Sequence, residues 1–247
     1  RRKQIRPALK NRWWQYAEKR PGLYRSIHGM DSVFVNSSKA TPQYSIAMLD
    51  NGLIYSQNLN VFALQGMAAF CVLQSSTHEL WARFFGTTFE DRLTYAKEEC
   101  FETFPFPTNY EQSDRLCEAG RAYHEHRAQL LIARNQGLTK TYNRFHDRGQ
   151  NAQDITRLRE LHAEMDAAVL RAYGWEDLAD RAQPEFIEQE ADEGKQAKTR
   201  FDWPSEFKDE VLARLLALNA ERAEAERAAG LIASDDEGDE DDEGEAA

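Results

Sequence analysis

Pro105 and Pro107 interrupt the chain where the rhythm of its apolar residues changes, and that change limits the fold more than any other feature. A proline has no amide hydrogen and a fixed φ, so the run Phe104-Pro105-Phe106-Pro107 cannot lie inside a helix or a central strand. Ahead of it, apolar residues come in short groups separated by turn residues. After it, they recur at helical spacing over long stretches. The pattern predicts an α+β chain: a mixed, β-rich segment with one long helix, then a small helical bundle.

Within the first segment, Ser32-Val33-Phe34-Val35, Tyr44 to Leu49 and Asn60 to Leu64 read as strands, with Asp50-Asn51-Gly52 as a turn. A single helix is expected from about Met67 to Phe85, stopped by Gly86. Past the prolines, Leu116, Ala119, Tyr123, Leu130 and Leu131 mark one helix that ends near Gly137. Ile155 through Ala172 mark a second, stopped by Gly174, and Pro204-Ser205 opens a third. Three such helices favour a bundle. The polar stretch 182–200 reads as a loose charged insertion. The expected organisation is thus 1–108, 109–230 and an acidic tail, 231–247, too poor in apolar residues to order itself.

The net charge of −11 hides a strong asymmetry. Residues 1–25 carry a net +8, whereas 234–247 carry a net −9. Phosphate binding needs a local basic surface, which an acidic whole does not exclude. No stretch is long and apolar enough to span a bilayer. Cys71, Cys100 and Cys117 form no Cys-x-x-Cys pair and read as reduced thiols, so a cytoplasmic location without membrane contact is expected. The chain opens on Arg1 rather than Met, as a piece of a longer polypeptide would.

Catalytic motifs are missing. No Gly-x-Gly occurs, so the usual glycine turn for S-adenosylmethionine or a dinucleotide is absent. None of the seven prolines is adjacent to another, so the two-proline loop with which amino-group DNA methyltransferases hold a flipped base is absent too. Neither Glu193-Gly194-Lys195 nor Glu206-Phe207-Lys208 follows a hydrophobic strand, and both read as solvated charge rather than nuclease sites. His124-Glu125-His126 suggests zinc, but helical positions i and i+2 lie roughly 200° apart. It reads as helix surface, as do Ser75, Ser76 and His78. No cofactor or metal is therefore expected on this chain, and no catalytic residue is assigned.

Arg12-Trp13-Trp14 through Arg20-Pro21-Gly22-Leu23-Tyr24 interleaves bases with large aromatics, a composition suited to phosphates and to stacking. The order of several segments adds to this. Trp13-Trp14 to Leu23 is followed by Val33-Phe34-Val35-Asn36-Ser37-Ser38-Lys39, Phe62-Ala63-Leu64 and Val72 to Trp81. Then come Gly86-Thr87-Thr88-Phe89-Glu90-Asp91-Arg92-Leu93-Thr94-Tyr95, Cys100 to Pro107, Ala172-Tyr173-Gly174-Trp175 and Leu215 to Asn219. In this order the chain resembles the C-terminal part of fused adenine-specific DNA methyltransferases, the MmeI-like (type IIL) restriction–modification enzymes and the related BREX and DISARM phage-defence methyltransferases.

The resemblance implies a target-recognition domain over 1–108, a helical support behind it, and double-stranded DNA as partner. It also implies a catalytic domain with S-adenosylmethionine, in cis or in trans, that methylates adenine. Base readout needs donors and acceptors on loops stiffened by a scaffold. Ser37, Ser38 and Lys39 form one candidate group, and Glu90, Asp91 and Arg92 another. Arg12, Lys19, Arg20 and Arg83 are candidates for phosphates. The acidic balance supports a rival of another class: a helical interaction protein or DNA mimic acting on a DNA-processing enzyme.

Overall fold

The computed structural model describes residues 19–89, 92–188 and 199–230. Helix α1 (Pro21–Ser26) begins on a proline, whose missing amide hydrogen costs nothing at the first helical position. Three antiparallel strands follow, β1 (Ser32–Ser37), β2 (Ala47–Asp50) and β3 (Leu59–Phe62), in the order β2-β1-β3. The register sets Phe34 opposite both Met48 and Phe62. Central β1 is covered on both faces, and its residues divide by period two. Val33 and Val35 pack with Ile27 and Tyr55 on the α1 side. Phe34 points the other way, into the main core, with its ring 5.9 Å from that of Phe70.

The expected helix from Met67 to Phe85 is two helices, α2 (Met67–Gln74) and α3 (Ser76–Phe85). Ser75 stands between them in extended conformation (φ −68°, ψ 156°). Its hydroxyl donates to Val72 O at 2.7 Å and accepts from His78 N at 3.3 Å. Asp166 takes the amide of Ser76 at 2.8 Å and its hydroxyl at 2.7 Å. Apolar spacing continues across the joint, so the break is invisible to periodicity. The capping bonds and a carboxylate 90 residues away make it favourable.

After α3, strands β4 (Thr87–Phe89) and β5 (Arg92–Thr94) pair with each other. A short helix α4 (Lys97–Cys100) leads to the proline run. Phe104, Phe106 and Tyr110 form a chain of aromatic contacts with 5.0 Å between successive centroids. Helix α5 (Asp114–Arg134) starts at Ser113, whose hydroxyl accepts from Leu116 N, and stops at left-handed Asn135. Helix α6 (Leu138–Phe145) was not foreseen as an element. Helix α7 (Gln153–Ala172) ends before Gly174 (φ +78°), and α8 (Glu176–Ala179) follows.

The stretch expected to be a loose insertion contains a hairpin, β6 (Glu185–Glu188) with β7 (Thr199–Asp202), pairing Phe186 with Phe201. Its anchor is Arg159 of α7, whose guanidinium lies 4.8 Å from the Phe186 centroid and 5.6 Å from that of Phe201. Arg159 also donates to the carbonyls of Arg144, Phe145, Asp147 and Gln150. Helix α9 (Ser205–Ala228) closes the described chain.

One main core runs from Phe34 to Leu215 and crosses the proline run without a break. Its tightest seam is α2 against α5. A β-carbon on Gly120 of α5 would lie 2.4 Å from Met67 O and 3.0 Å from Cys71 Cβ, so only glycine admits this approach. The expected α+β class holds, with small antiparallel sheets set among helices.

Candidate nucleic-acid interface

β1 ends at Ser37, and the backbone then turns over a short polar loop. The Ser37 hydroxyl donates to Lys39 O at 3.2 Å and accepts from Lys39 N at 3.1 Å, which closes the turn on itself. Ser38 is tied to the 56–58 turn through its amide to Asn58 O (2.9 Å) and its hydroxyl to Gln57 O (3.3 Å). Lys39 is exposed on this stiffened loop. Two residues on, Thr41 exchanges backbone hydrogen bonds of 3.1 and 2.9 Å with Leu93 of β5. The fold therefore sets the loop carrying Lys39 beside the strand carrying exposed Arg92. These two candidate groups, 53 positions apart in sequence, become neighbours. Glu90 and Asp91, and Arg12 with Trp13 and Trp14, lie outside the described residues, as does the acidic tail.

A cleft of about 300 Å³ opens beside this junction. Asn36, Ser37, Thr41 and Gln43 line it from the sheet side, and Leu138 and Thr139 of α6 line it from the helical side. Gln43 Nε2 donates to Asn143 Oδ1 of α6 at 3.0 Å and joins the two walls.

The proposed phosphate contacts fare differently. Lys19 is exposed ahead of α1. Arg20 precedes α1 in left-handed conformation (φ 45°), half-buried, with its Nη1 buried and unpartnered among the described residues. Both lead into the helix that covers the Val33/Val35 face. Arg83 is engaged internally: it lies 2.7 Å from Glu79 and donates to Pro42 O at 3.2 Å. Glu79 also pairs with Arg200 of β7. Burial would raise the Glu79 carboxyl, but Arg200 and Arg83 outweigh it and bring its pKa to about 2.

Three residues expected on a helix surface, Ser75, Ser76 and His78, sit at the α2–α3 joint instead, with Ser75 and His78 fully buried. His78 Nε2 bonds Tyr95 OH at 2.9 Å, and its ring meets Phe104 edge-on at 4.4 Å. Burial brings its pKa down to about 3, so it is a neutral core residue. Asp166 holds the joint, with His162 Nδ1 3.2 Å away. Burial disfavours the His162 charge, but this carboxylate prevails and raises its pKa.

Periodicity also missed the polar tie between the two halves. Arg127 of α5 is buried and donates to Gln74 Oε1 (2.9 Å), Tyr142 OH (2.8 Å) and Ile46 O (2.7 Å). Gln74 Oε1 also accepts from Ile46 N at 2.9 Å. A single arginine at a helically spaced position of an otherwise apolar stripe is the available signal, and Arg127 falls between Tyr123 and Leu130 on that stripe.

In the 124–126 triplet, His124 is half-buried edge-on to Phe70 and His126 bonds Asp154 O at 2.8 Å, so their rings serve different neighbours. Among the described residues, no three His, Cys, Asp or Glu side chains form a group that could hold a metal ion. No described helix is long and apolar enough to cross a membrane.

Comparison with known proteins adds one finding. Residues 1–108 match the family model of the MmeI target recognition domain, and the match ends just after the proline run. No curated protein and no solved structure matches the chain. The small sheet, the stiff loop after β1 and the β4–β5 pair all fall within the matched residues. The segment 1–108 is a target recognition domain of MmeI-like enzymes, a module that recognises DNA sequence in restriction–modification.

Proposed function

We propose that this chain sets the site preference of an adenine-N6 DNA methyltransferase of the MmeI-like kind. The S-adenosylmethionine-binding catalytic domain lies outside these 247 residues, in cis or on a partner chain. The observation that carries the proposal is the family match over residues 1–108. The Thr41–Leu93 pairing supports it, because it gathers Lys39 and Arg92 on one rigid edge. Arginine can read guanine N7 and O6 with two donors, and lysine can reach the same acceptors from a loop. Flanking cations hold the phosphates and set register. The attached domain flips the target adenine from the stack and transfers the methyl group.

The test joins the chain to its catalytic part, supplies duplex DNA and maps methylated adenines. Lys39→Ala or Arg92→Ala should change the methylated sequence or slow methylation at it. Unchanged sites and rates in both variants would remove these residues from base readout. Binding to a DNA-processing enzyme, with no binding to DNA across a salt series, would favour the rival reading as a DNA mimic.

A further inference from the structure

The cleft beside the Lys39 loop has a second wall that belongs to the helical region beyond residue 108. Gly137 precedes α6 in extended conformation and supplies no side-chain cap. The first backbone bond of that helix runs from Thr141 N to Gly137 O, so the amides of Leu138, Thr139 and Lys140 lack acceptors within it. Leu138 and Thr139 border the cleft.

Across from them is Asn36, only 5% exposed. Its Oδ1 accepts from Asn60 Nδ2 at 2.9 Å, while its Nδ2 is buried and finds no partner among the described residues. A buried amide donor without an acceptor costs about 1–3 kcal/mol, which a ligand oxygen would recover. Gln43 Oε1 is also unpartnered there, but it is uncharged. Among the described residues no carboxylate lines the cleft, in a chain whose net charge is −11. Exposed Lys140 follows the lining residue Thr139, and exposed Lys39 lies two positions after the lining residue Ser37, whose hydroxyl bonds its backbone.

We propose that this cleft holds one backbone phosphate of duplex DNA between the amino end of α6 and the carboxamide of Asn36. Helix amino ends bind phosphate through free amides and the positive end of the dipole. The helical region would then contact DNA itself and fix how the duplex lies across the Lys39 loop and the Arg92 end of β5. The proposal rests on the DNA-recognition reading above.

Thr139 is exposed in the first turn of α6, so its substitution tests the site without disturbing the core. Thr139→Glu places a negative charge at the amino end, which suits the helix dipole and repels a phosphate. Thr139→Gln keeps the size without the charge. Binding of a mixed-sequence duplex by the full chain is measured across a salt series, with inorganic phosphate titrated against the backbone amides by NMR. Thr139→Glu should retain its melting temperature and lose affinity by roughly tenfold at low salt. Its plot of log K against log salt should be shallower by about 0.9, the loss of one phosphate contact. Thr139→Gln should bind like the parent. If Thr139→Glu keeps the parent's affinity and slope, the α6 site is wrong while DNA recognition stands. If the parent binds no duplex, the recognition reading fails and this proposal with it. In that case a phosphate-shifted Thr139 amide would assign the cleft to a free phosphate.

Discussion

Arg127 and Glu79 show how single charged side chains hold this protein together, each by a different route. Among the described residues the charge of Arg127 is met not by a carboxylate but by a glutamine, a tyrosine and a backbone carbonyl. Its guanidinium also lies 5.3 Å from the Phe70 centroid and 5.4 Å from that of Tyr123. Truncation leaves several buried polar groups unsatisfied at once. Arg127→Met should therefore lower the unfolding free energy by about 3 kcal/mol in a denaturant titration. Arg127→Lys should recover only part, because a point charge cannot fork to Gln74 and Ile46 together.

Glu79 acts through pH. Its folded pKa is about 2 against an ordinary 4.5, so its ion pairs stabilise fully above pH 4.5 and the contribution is lost as pH falls towards 2. A shift of this size corresponds to about 3 kcal/mol at neutral pH. Glu79→Gln should lower stability at pH 7 and flatten the stability profile between pH 4.5 and 2, read by melts across that range. An equal slope in parent and variant would assign the acid lability elsewhere. Buried His78 and half-buried His146 also have folded values near 3, below their ordinary 6.5, and they add losses as pH falls from 6.5 towards 3.

At the scale of elements, two junctions decide the packing. The α2–α3 joint exists because Ser75 caps α3 and Asp166 meets Ser76. Ser75→Ala should cost about 1 kcal/mol through the lost cap. The α2–α5 seam exists because Gly120 has no side chain. Gly120→Ala would improve helix propensity on an isolated α5, yet its β-carbon would lie 2.4 Å from Met67 O. The variant should melt lower, with a loss of about 1–3 kcal/mol or more from overpacking. A melting temperature equal to the parent's would mean that the seam can open without cost.

For the whole molecule, the family match and the hydrophobic core have different limits. The match stops at residue 108, whereas the core continues to Leu215. Phe70, Cys71 and Val72 of the matched segment are buried in the same core as Leu116 and Tyr123 of α5. A fragment ending at residue 108 would expose that face. It should therefore unfold without a cooperative transition, whereas the full chain should show one, as monitored by near-UV circular dichroism and calorimetry. A fragment that melts cooperatively would show that the recognition domain stands without its helices.

Much of this architecture was legible beforehand because it depends on neighbours in sequence. The three strands of the sheet were visible as short apolar groups, although Tyr44 to Ile46 precede β2 instead of joining it and Ala63 and Leu64 lie beyond the end of β3. The faces of α5, α7 and α9 followed from helical spacing, and the stops at Gly174 and the proline run from backbone chemistry. Short elements were lost. Helix α6 has only eight residues, and β6 and β7 are four residues long each, on either side of a charged stretch. Of the candidate site, Lys39 and Arg92 could be named from loop position, but their adjacency could not.

By itself the sequence determined the order of its elements, the change from short strands to long helices at Pro105 and Pro107, and the membership of residues 1–108 in a DNA-recognising family. All of these rest on local spacing or on an ordered series of segments. Only tertiary structure decided the break at Ser75, the burial of Gln74, His78, Arg127 and Asp166, and the meeting of the Lys39 loop, β5 and α6 around one cleft. The physical reason is the same in each case. A polar group is buried, or a helix interrupted, only when its hydrogen-bond partner arrives from far along the chain, and such pairing leaves no period in the sequence.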